Sequence, residues 1–259
     1  MPQLRVRTIP VFVVSLPDCT ERRESISKAL FNLGIKFEFI DAVDGRHGLD
    51  PQYEDQIDRT TTKQNGKILS DAEFACALSH LTVYQRIVSE NIAYALILED
   101  DAIPSLKLAE FLVECYYRDA ELTQLYCPRA YVSRWGSYAL LQHHTSYVRL
   151  PRVPVVGAVA YTVSYRAALH FVNHAVPITK EADWPRCIEA LIKNRQCRAI
   201  YPPLVGHPIR HPGQSLLAHS ERIYDKTSRR FFGVYFPTYR RMIESWSRTP
   251  YKLIGKRLP

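Results

Sequence analysis

The sequence predicts one α/β domain in which strands and helices alternate around a mostly parallel sheet. The apolar runs Val11–Ser15 and Ala93–Leu98 contain β-branched and aliphatic residues without interruption, which is typical of strands buried on both faces. Between these runs, Ser70 and Glu73 form a Ser-x-x-Glu capping box, which predicts a helix that extends to about Asn91.

A further helix and strand follow the first strand directly. Asp18, with Glu21 three residues later, predicts the helix N-terminus, and Gly34 predicts where the helix ends. Lys36–Ile40 then alternates as a strand does. Because a strand, a crossover helix and a strand form a βαβ unit, we expect the two strands to be parallel. The polar, turn-rich residues 44–68 predict a loop.

The second half of the chain continues the alternation with weaker patterns. Val155–Ser164 predicts a strand, and Tyr165–His174 predicts a helix. Asp183 would cap another helix, which begins at residue 184 and ends near Asn194. The remaining predicted elements are a helix at Leu106–Leu112 and strands at Leu125–Val132 and Arg198–Tyr201.

The amino-acid composition is that of an ordinary globular protein. Of the 259 residues, 46% are hydrophobic and 23% are charged, and a chain of this length buries about 70–75% of its unfolded surface without disulfides. The six cysteines are scattered without metal-binding spacing, so we expect free thiols in a reducing compartment. We find no segment with the length of a membrane span or the pattern of a signal peptide, and we expect a cytosolic protein.

Positive charge is concentrated near the C-terminus. Residues 222–259 contain ten Lys and Arg and two acids, a net charge of +8 that equals the formal net charge of the whole chain. We therefore separate a domain at residues 1–221 from a basic, aromatic-rich extension at 222–259. Basic and aromatic residues together favour binding to an anionic membrane surface. The alternatives are a solvated terminal helix and, less favoured, a contact with nucleic acid.

Three consecutive carboxylates follow the strand at Ala93–Leu98. Glu99, Asp100 and Asp101 would lie at the carboxyl end of a parallel strand, where open α/β sheets bind ligands. Adjacent carboxylates repel unless a cation relieves them, and Mg²⁺ or Mn²⁺ bound there would hold a diphosphate. An acidic surface turn without any chemistry is the alternative.

One face of the predicted helix after Ser70 carries polar side chains. Glu73, Cys76 and His80 recur at helical spacing, with Ser79 adjoining. This face borders the apolar stripe of the helix, so Glu73 and His80 would be half-buried and would need hydrogen-bond partners. A core histidine bonded to a backbone carbonyl is the alternative for His80.

Four stretches together make the sequence recognisable. Val13–Arg23, Ala72–His80 and Leu96–Ala102 follow one another in order, and Gly157–Ser164 matches more loosely. They resemble the lipooligosaccharide glycosyltransferases of glycosyltransferase family 25, in which the second stretch reads Glu-x-x-Cys-x-x-Ser-His and the third is Glu-Asp-Asp after a strand. The resemblance covers most of residues 10–220.

The resemblance implies a GT-A-like nucleotide-diphospho-sugar transferase fold, a UDP-hexose donor with galactose favoured over glucose, and transfer with inversion. It also implies Mn²⁺ or Mg²⁺ and a lipid-anchored oligosaccharide acceptor. Asp101 would bind the metal, with Asp100 as a second ligand or, like Glu99, nearer the donor. The other implied donor-site residues are Ser15, Leu16 and Asp41 at the nucleoside, Arg23 or Arg22 at the diphosphate, and Glu73, Ser79 and His80 as braces or contacts.

Inverting transfer needs a general base that takes the proton of the acceptor hydroxyl. Asp183 is our first candidate for this base and Glu181 is the reserve. The resemblance also implies a histidine ligand to the metal, either His207 or His211. Two further residues implied near the diphosphate are Gln214 and Ser215.

Two other classes of protein compete with this interpretation. A metal-dependent phosphohydrolase or nuclease usually spreads its carboxylates over several elements, and residues 1–221 lack the basic excess that nucleic acid requires. A non-catalytic binding module for a membrane surface or nucleic acid would use only the basic extension. For the favoured transferase, the acceptor and the extension together imply a peripheral position at the inner face of the cytoplasmic membrane.

Overall fold

An eight-stranded mixed sheet forms the centre of the structure, a computed structural model that describes residues 9–64, 69–126, 138–140, 145–149, 157–182, 187–201 and 203–208. Its strands lie in the order β2-β1-β3-β8-β5-β9-β7-β6, and β4 and β10 form a separate antiparallel pair. The strands are β1 (Val11–Ser15), β2 (Glu38–Asp41), β3 (Tyr94–Glu99), β4 (Ile103–Pro104), β5 (Leu122–Gln124), β6 (Tyr138–Leu140), β7 (Thr145–Arg149), β8 (Ala160–Ser164), β9 (Cys197–Tyr201) and β10 (Val205–Gly206).

Most strands of the sheet point in one direction. β1 is parallel to β2 and β3, and β5 is parallel to β9. β8 and β7 run antiparallel to both of their neighbours. Six strands therefore share one direction, and the predicted α/β fold with a mostly parallel sheet and flanking helices is confirmed.

Helices cover both faces of the sheet. In β1, Phe12 and Val14 join the core cluster that includes α3 and α5, whereas Val11 and Val13 join the cluster that includes α1 and α4. This alternation is why Val11–Val14 are all apolar, and burial of each large side chain contributes about 1.5–3 kcal/mol. The helices are α1 (Thr20–Asn32), α2 (Arg59–Gln64), α3 (Asp71–Ser89), α4 (Leu106–Val113), α5 (Tyr165–His174) and α6 (Ile188–Lys193), with 3₁₀ helices at Pro51–Gln56 and Tyr116–Asp119.

The capping box of α3 is present as predicted. The Ser70 hydroxyl accepts a hydrogen bond from the Glu73 backbone N–H, and the Glu73 carboxylate accepts one from the Ser70 backbone N–H at 2.9 Å. The predicted end at Asn91 is slightly late, because the helix stops at Ser89. Asn91 has a φ of 53°, which places it in the left-handed region outside the helix.

The start of α1 differs from the prediction, whereas its end agrees. Cys19 is the N-cap residue and makes no side-chain capping bond, so the expected cap at Asp18 is wrong. The Asp18 carboxylate instead binds Arg46 at 2.8 Å, and this ion pair draws it away from the helix. Gly34 follows the C-cap residue with a φ of 67°, as a terminating glycine requires.

The predicted loop at 44–68 is not purely loop. It contains the 3₁₀ helix at Pro51–Gln56 and α2. Asp50 accepts a hydrogen bond from the Gln52 N–H, and Pro51 starts the short helix because its fixed φ suits a first turn.

In the second half of the chain, the observed bounds of several elements differ from the predicted bounds. The strand expected at Leu125–Val132 is wrong at its described residues Leu125 and Tyr126, because the strand here is β5 at Leu122–Gln124, which is formed partly by polar but buried Thr123 and Gln124. β8 is shorter than Val155–Ser164, and α6 begins four residues after the predicted start. The residues of this half that lie outside the described structure are 127–137, 141–144, 150–156, 183–186, 202 and 209–259, which include the extension at 222–259.

Candidate functional site

Three parallel strands end side by side and bring their last residues together. In the strand register, Ser15 is opposite Asp41, and Val14 is opposite Glu99. Asp100 and Asp101 follow β3 immediately, so that they lie next to the end of β1. This is the edge at which an open α/β sheet binds its ligands.

An open cleft lies at this edge, with about 900 Å³ of empty space that is continuous with solvent. The walls come from the ends of β1 and β3, the segment after β2, one face of α3 and the residue after β10. They consist of Val14–Leu16, Arg22, Ala42–Arg46, Ala72, Ala75, Cys76, Ser79, His80, Glu99–Asp101 and His207.

Arg22 binds Asp100 and Asp101, two of the cleft aspartates. Its guanidinium donates to Asp100 Oδ1 at 2.7 Å and to Asp101 Oδ2 at 3.1 Å. Asp100 is only 7% exposed, and its second oxygen accepts a hydrogen bond from the Ser15 hydroxyl at 2.8 Å. Burial raises the pKa of Asp100 above its ordinary value, although Ser15 and Arg22 oppose that rise.

Arg23 has a different role from its neighbour Arg22. Its guanidinium donates to the backbone carbonyls of Ser15 and Leu16 at 3.0 and 3.1 Å, and it forms an ion pair with Asp41. It also stacks over the Phe39 ring at 4.6 Å. Arg23 therefore ties the ends of β1 and β2 together and is not among the described residues that line the cleft, whereas Arg22 is.

Asp101 and His207 converge at the edge of the cleft. His207 Nε2 lies 3.3 Å from Asp101 Oδ2, although the two residues are far apart in the sequence. Two ligands that share one octahedral cation, at bond lengths of about 2.1 Å, lie about 3 Å apart. A carboxylate and an imidazole are also a donor set that Mn²⁺ accepts. These two residues therefore fit a divalent cation, although Asp101 Oδ2 also accepts a hydrogen bond from Arg22, just as both oxygens of Asp100 accept protein hydrogen bonds.

α3 shapes the floor of the cleft. The Ser79 hydroxyl donates to the Ala75 carbonyl at 2.7 Å and accepts from the Val43 N–H at 2.9 Å, which ties the segment after β2 to the helix. A Cβ atom on Gly45 would lie 2.4 Å from the Asp71 carbonyl oxygen, so only glycine allows this close approach. Glu73 is buried in the capping box and is not among the described cleft residues.

His80 begins a chain of buried polar groups. The side chain is 1% exposed, and Nδ1 lies 2.7 Å from the Tyr161 hydroxyl, which lies 2.8 Å from the Tyr84 hydroxyl. Burial raises the pKa of both tyrosines, so both keep their protons. On its other side, His80 Nε2 lies 3.5 Å from a Glu99 oxygen. The alternative of a histidine bonded to a backbone carbonyl is thus wrong, because a tyrosine is its partner.

The remaining predicted residues lie elsewhere or outside the described structure. Glu181 lines a smaller cavity together with His80 and Tyr84, next to the cleft. The candidates that fall outside the described residues are Asp183, His211, Gln214 and Ser215.

Sequence reasoning missed Tyr161, Tyr84 and Arg46 as parts of the site. Arg46 lines the cleft and binds Asp44 and Asp18 at 2.7 and 2.8 Å. Two tyrosines within apolar runs carry no local signal of their own, because the register of α3 against β8 decides that they meet.

The fold and the cleft define an α/β protein whose ligand site lies at the carboxyl ends of its parallel strands and carries residues suited to a divalent cation. Residues 8–184 match the model of glycosyltransferase family 25, described as an LPS biosynthesis protein. This match spans more than half of the chain, and the protein belongs to this family.

Individual relatives are similar over shorter stretches. The lipooligosaccharide biosynthesis protein lic2B of Haemophilus influenzae is 33% identical over 103 residues, which are 40% of this chain and 37% of the relative. The probable inactive glycosyltransferase 25 family member 3 of Bos taurus is 32% identical over 102 residues, or 35% of this chain and 16% of the relative. The procollagen galactosyltransferase 1-A of Xenopus laevis is 29% identical over 102 residues, with the same two shares. The matches thus span well under half the length of these relatives.

One solved structure is similar to the chain at a low TM-score. The crystal structure of A197 from STIV aligns over 78% of this chain and 85% of that chain, with 9% identity and a TM-score of 0.39. Within the described residues, no helix combines the length and the apolar character that crossing a membrane requires.

Proposed function

We propose that the protein is a glycosyltransferase that moves a hexose, with galactose favoured, from a UDP-sugar to a lipooligosaccharide acceptor with inversion and with a divalent cation. The observation that carries the proposal is the convergence of Ser15, Glu99, Asp100, Asp101 and His207 around one open cleft. The family description and the name of lic2B support lipooligosaccharide synthesis. The name of the Xenopus relative supports galactose.

Asp101 and His207 would hold the cation, Mn²⁺ or Mg²⁺. A bound cation would neutralise the charge that develops on the leaving UDP. Arg22 already supplies a positive charge beside this position, because its guanidinium forms ion pairs with Asp100 and Asp101. Arg22 and Arg46 line the same cleft, and phosphate oxygens of a donor would share their guanidinium groups with the aspartates that these groups already bind.

The nucleoside end of the donor would occupy the side of the cleft that β1 and β2 form. Leu16 lines this side, and Asp41 lies at the end of β2 beside Ser15, with its side chain 68% exposed. An exposed carboxylate at the end of a parallel strand is suited to accept hydrogen bonds from ribose hydroxyls. Arg23 would fix the orientation of this carboxylate.

Asp183 remains our first candidate for the general base, with Glu181 as the reserve. Glu181 lies at the cavity next to the cleft, where it shares His80 as a wall residue. A base there would have to reach the acceptor hydroxyl directly or through one water molecule. The acceptor would be lipid-anchored, and the basic extension at 222–259 would hold the protein at the inner face of the cytoplasmic membrane.

The test is UDP release from the purified protein with a panel of UDP-sugars, in Mn²⁺ or Mg²⁺ and in EDTA. We expect slow hydrolysis of one donor that requires the metal and falls at least 100-fold in Asp101→Asn. Asp55→Asn is the matched control, because Asp55 is exposed on the 3₁₀ helix after Pro51 and should leave the rate unchanged. Metal-independent release, or equal loss in both variants, would contradict the proposal.

A second candidate is a family member that binds a UDP-sugar without turning it over. The name of the bovine relative, a probable inactive member of the family, favours it. Calorimetric binding of UDP-galactose by a folded protein that releases no UDP, even with lipooligosaccharide acceptors, would select this candidate.

A further inference from the structure

Three potential metal ligands of different chemistry meet on one wall of the cleft. Cys76 and His80 lie one turn apart on α3, and Glu99 ends β3 opposite them. A sulfur, a ring nitrogen and a carboxylate oxygen, one from each residue, all lie within 4.8 Å of one another. All three residues line the cleft, so a fourth ligand position would face it.

The His80 ring is held in place from behind. Its Nδ1 lies 2.7 Å from the Tyr161 hydroxyl, and this hydroxyl has Tyr84 as a second partner at 2.8 Å. A metal-binding histidine usually donates its other ring N–H to a fixed acceptor, which sets the ring orientation and the tautomer. The Tyr161 oxygen can be that acceptor, since its own proton can go to Tyr84.

His80 Nε2 is the ring nitrogen on the side of the ring away from Tyr161. The atom is buried and has no hydrogen-bond partner within the described residues, and its nearest recorded contact is Glu99 at 3.5 Å. A buried ring nitrogen without a hydrogen bond keeps its desolvation cost. With Nδ1–H donated to Tyr161, the Nε2 lone pair lies near the Glu99 carboxylate, and a cation between them removes the repulsion.

The ligand chemistry selects the cation. Sulfur, imidazole and carboxylate ligands with one open position are typical of Zn²⁺, at bond lengths of about 2.0–2.3 Å and ligand separations of about 3.5 Å. Mg²⁺ and Ca²⁺ prefer oxygen ligands and do not select a thiolate. Cys76 and Glu99 are only partly buried, so small side-chain rotations can close the remaining gap.

We propose that Cys76, His80 and Glu99 form a thiophilic cation site, with Zn²⁺ as its natural occupant, separate from the oxygen-rich Asp101–His207 position. Binding replaces the Cys76 thiol proton, which is released to solvent. Because the open position faces the cleft, an occupied site competes with the donor sugar for space. This inference concerns metal binding alone and holds or fails without any transferase activity.

The test is a Co²⁺ titration of the full chain in excess Mg²⁺, followed by ultraviolet and visible absorption. Mg²⁺ keeps the Asp101–His207 position filled with a cation that binds no sulfur. We expect one equivalent of Co²⁺ to give a thiolate-to-cobalt charge-transfer band, which Zn²⁺ then displaces. The band should be absent in Cys76→Ser and intact in Cys19→Ser, a matched control because Cys19 is also partly exposed and lies near Asp100.

Tyr161→Phe tests the supporting hydroxyl. Loss of the acceptor behind His80 should weaken Co²⁺ binding about 10–100-fold without removing the charge-transfer band. Alkylation of the unsubstituted protein is a second measurement, and it does not depend on the folding of any variant. Stoichiometric Zn²⁺ should slow modification of Cys76 at least tenfold and leave Cys19 unaffected, as read by mass spectrometry.

The proposal is overturned by absence of the band in folded protein at one equivalent of Co²⁺, by its persistence in Cys76→Ser, or by its loss in Cys19→Ser. Equal alkylation of Cys76 with and without Zn²⁺ also overturns it.

Discussion

Asp100 is a nearly buried carboxylate that depends on its hydrogen-bond partners. The Ser15 hydroxyl and the Arg22 guanidinium act against the desolvation that raises its pKa. An ionised buried group that loses one such hydrogen bond keeps its desolvation cost. At the scale of single residues, the site is therefore sensitive to the removal of one oxygen atom.

Ser15→Ala should lower the free energy of unfolding by about 1–3 kcal/mol, because Asp100 Oδ2 would lose its donor. Urea unfolding measures this change. The control is Ser89→Ala, since the Ser89 hydroxyl is exposed at the end of α3 and its loss should change stability by less than about 0.5 kcal/mol. Equal effects of the two variants would show that the Ser15–Asp100 bond is unimportant.

Arg46 should control the titration of Asp44 at the mouth of the cleft. Its side-chain hydrogen bond lowers the pKa of Asp44 from 3.8 to about 2, so the stabilisation from this pair is present above pH 3.8 and is lost as the pH falls through about 2. In Arg46→Gln, the pKa of Asp44 should rise toward 3.8. Carboxyl carbon NMR titration measures it, and an unmoved Asp44 pKa would contradict the assigned contact.

At the scale of elements, the end of α1 is determined by backbone conformation rather than by packing. Gly34 has a φ of 67°, and a Cβ atom added there would meet no other atom within 4 Å. The strain of a substitution at this position thus comes from the left-handed conformation alone. Asparagine visits this region more easily than alanine does.

Gly34→Ala should therefore destabilise the protein by about 1 kcal/mol, and Gly34→Asn by clearly less. Thermal or urea unfolding of both variants measures the difference. If alanine were tolerated as well as asparagine, α1 would not end in the left-handed conformation.

Elements whose pattern is local were predicted well from the sequence. β1 and α5 have the expected bounds, and the α3 capping box is present, because periodicity and capping residues determine them. The bounds of β5 could not be predicted, because buried polar Thr123 and Gln124 resemble a surface segment. The antiparallel direction of β8 likewise depends on the path of the whole chain.

The candidate site shows the same limit. β1 and β2 were predicted to be parallel because they belong to one βαβ unit, whereas the pairing of β1 with β3 is a finding of the structure. The choice between Arg22 and Arg23 could not be predicted, because neighbours on a helix point about 100° apart and only the register of α1 decides which faces the cleft. The contact between Asp101 and His207 was implied by family resemblance rather than by local pattern.

At the scale of the whole molecule, charge divides the chain into a neutral domain and a basic extension. All of the formal net charge of +8 falls within residues 222–259. Attraction to an anionic membrane contributes about 1 kcal/mol for each Lys or Arg near the surface and weakens with salt.

Replacement of Arg240, Arg241, Lys256 and Arg257 by Gln should therefore reduce partitioning onto phosphatidylglycerol vesicles at least 100-fold. Sedimentation with vesicles at two salt concentrations measures this reduction. The matched control neutralises four lysines of the domain instead, at positions Lys28, Lys36, Lys107 and Lys193, and should retain binding. Equal losses in both proteins would assign membrane affinity to net charge rather than to the extension.

The direction of β8 affects how the protein could diversify. On the β1–β3 side, the cleft is built by segments that leave parallel strands, whereas β8 enters the sheet at this edge, and its preceding residue Val159 bonds the Glu99 N–H at 2.9 Å. Val159, the residue before β8, thus contacts the cleft residue Glu99, although the two belong to separate parts of the gene. Mutation or recombination can change the segment before β8 while the segments after β1 and β2 stay intact, so the surroundings of Glu99 can vary on one side independently of the other.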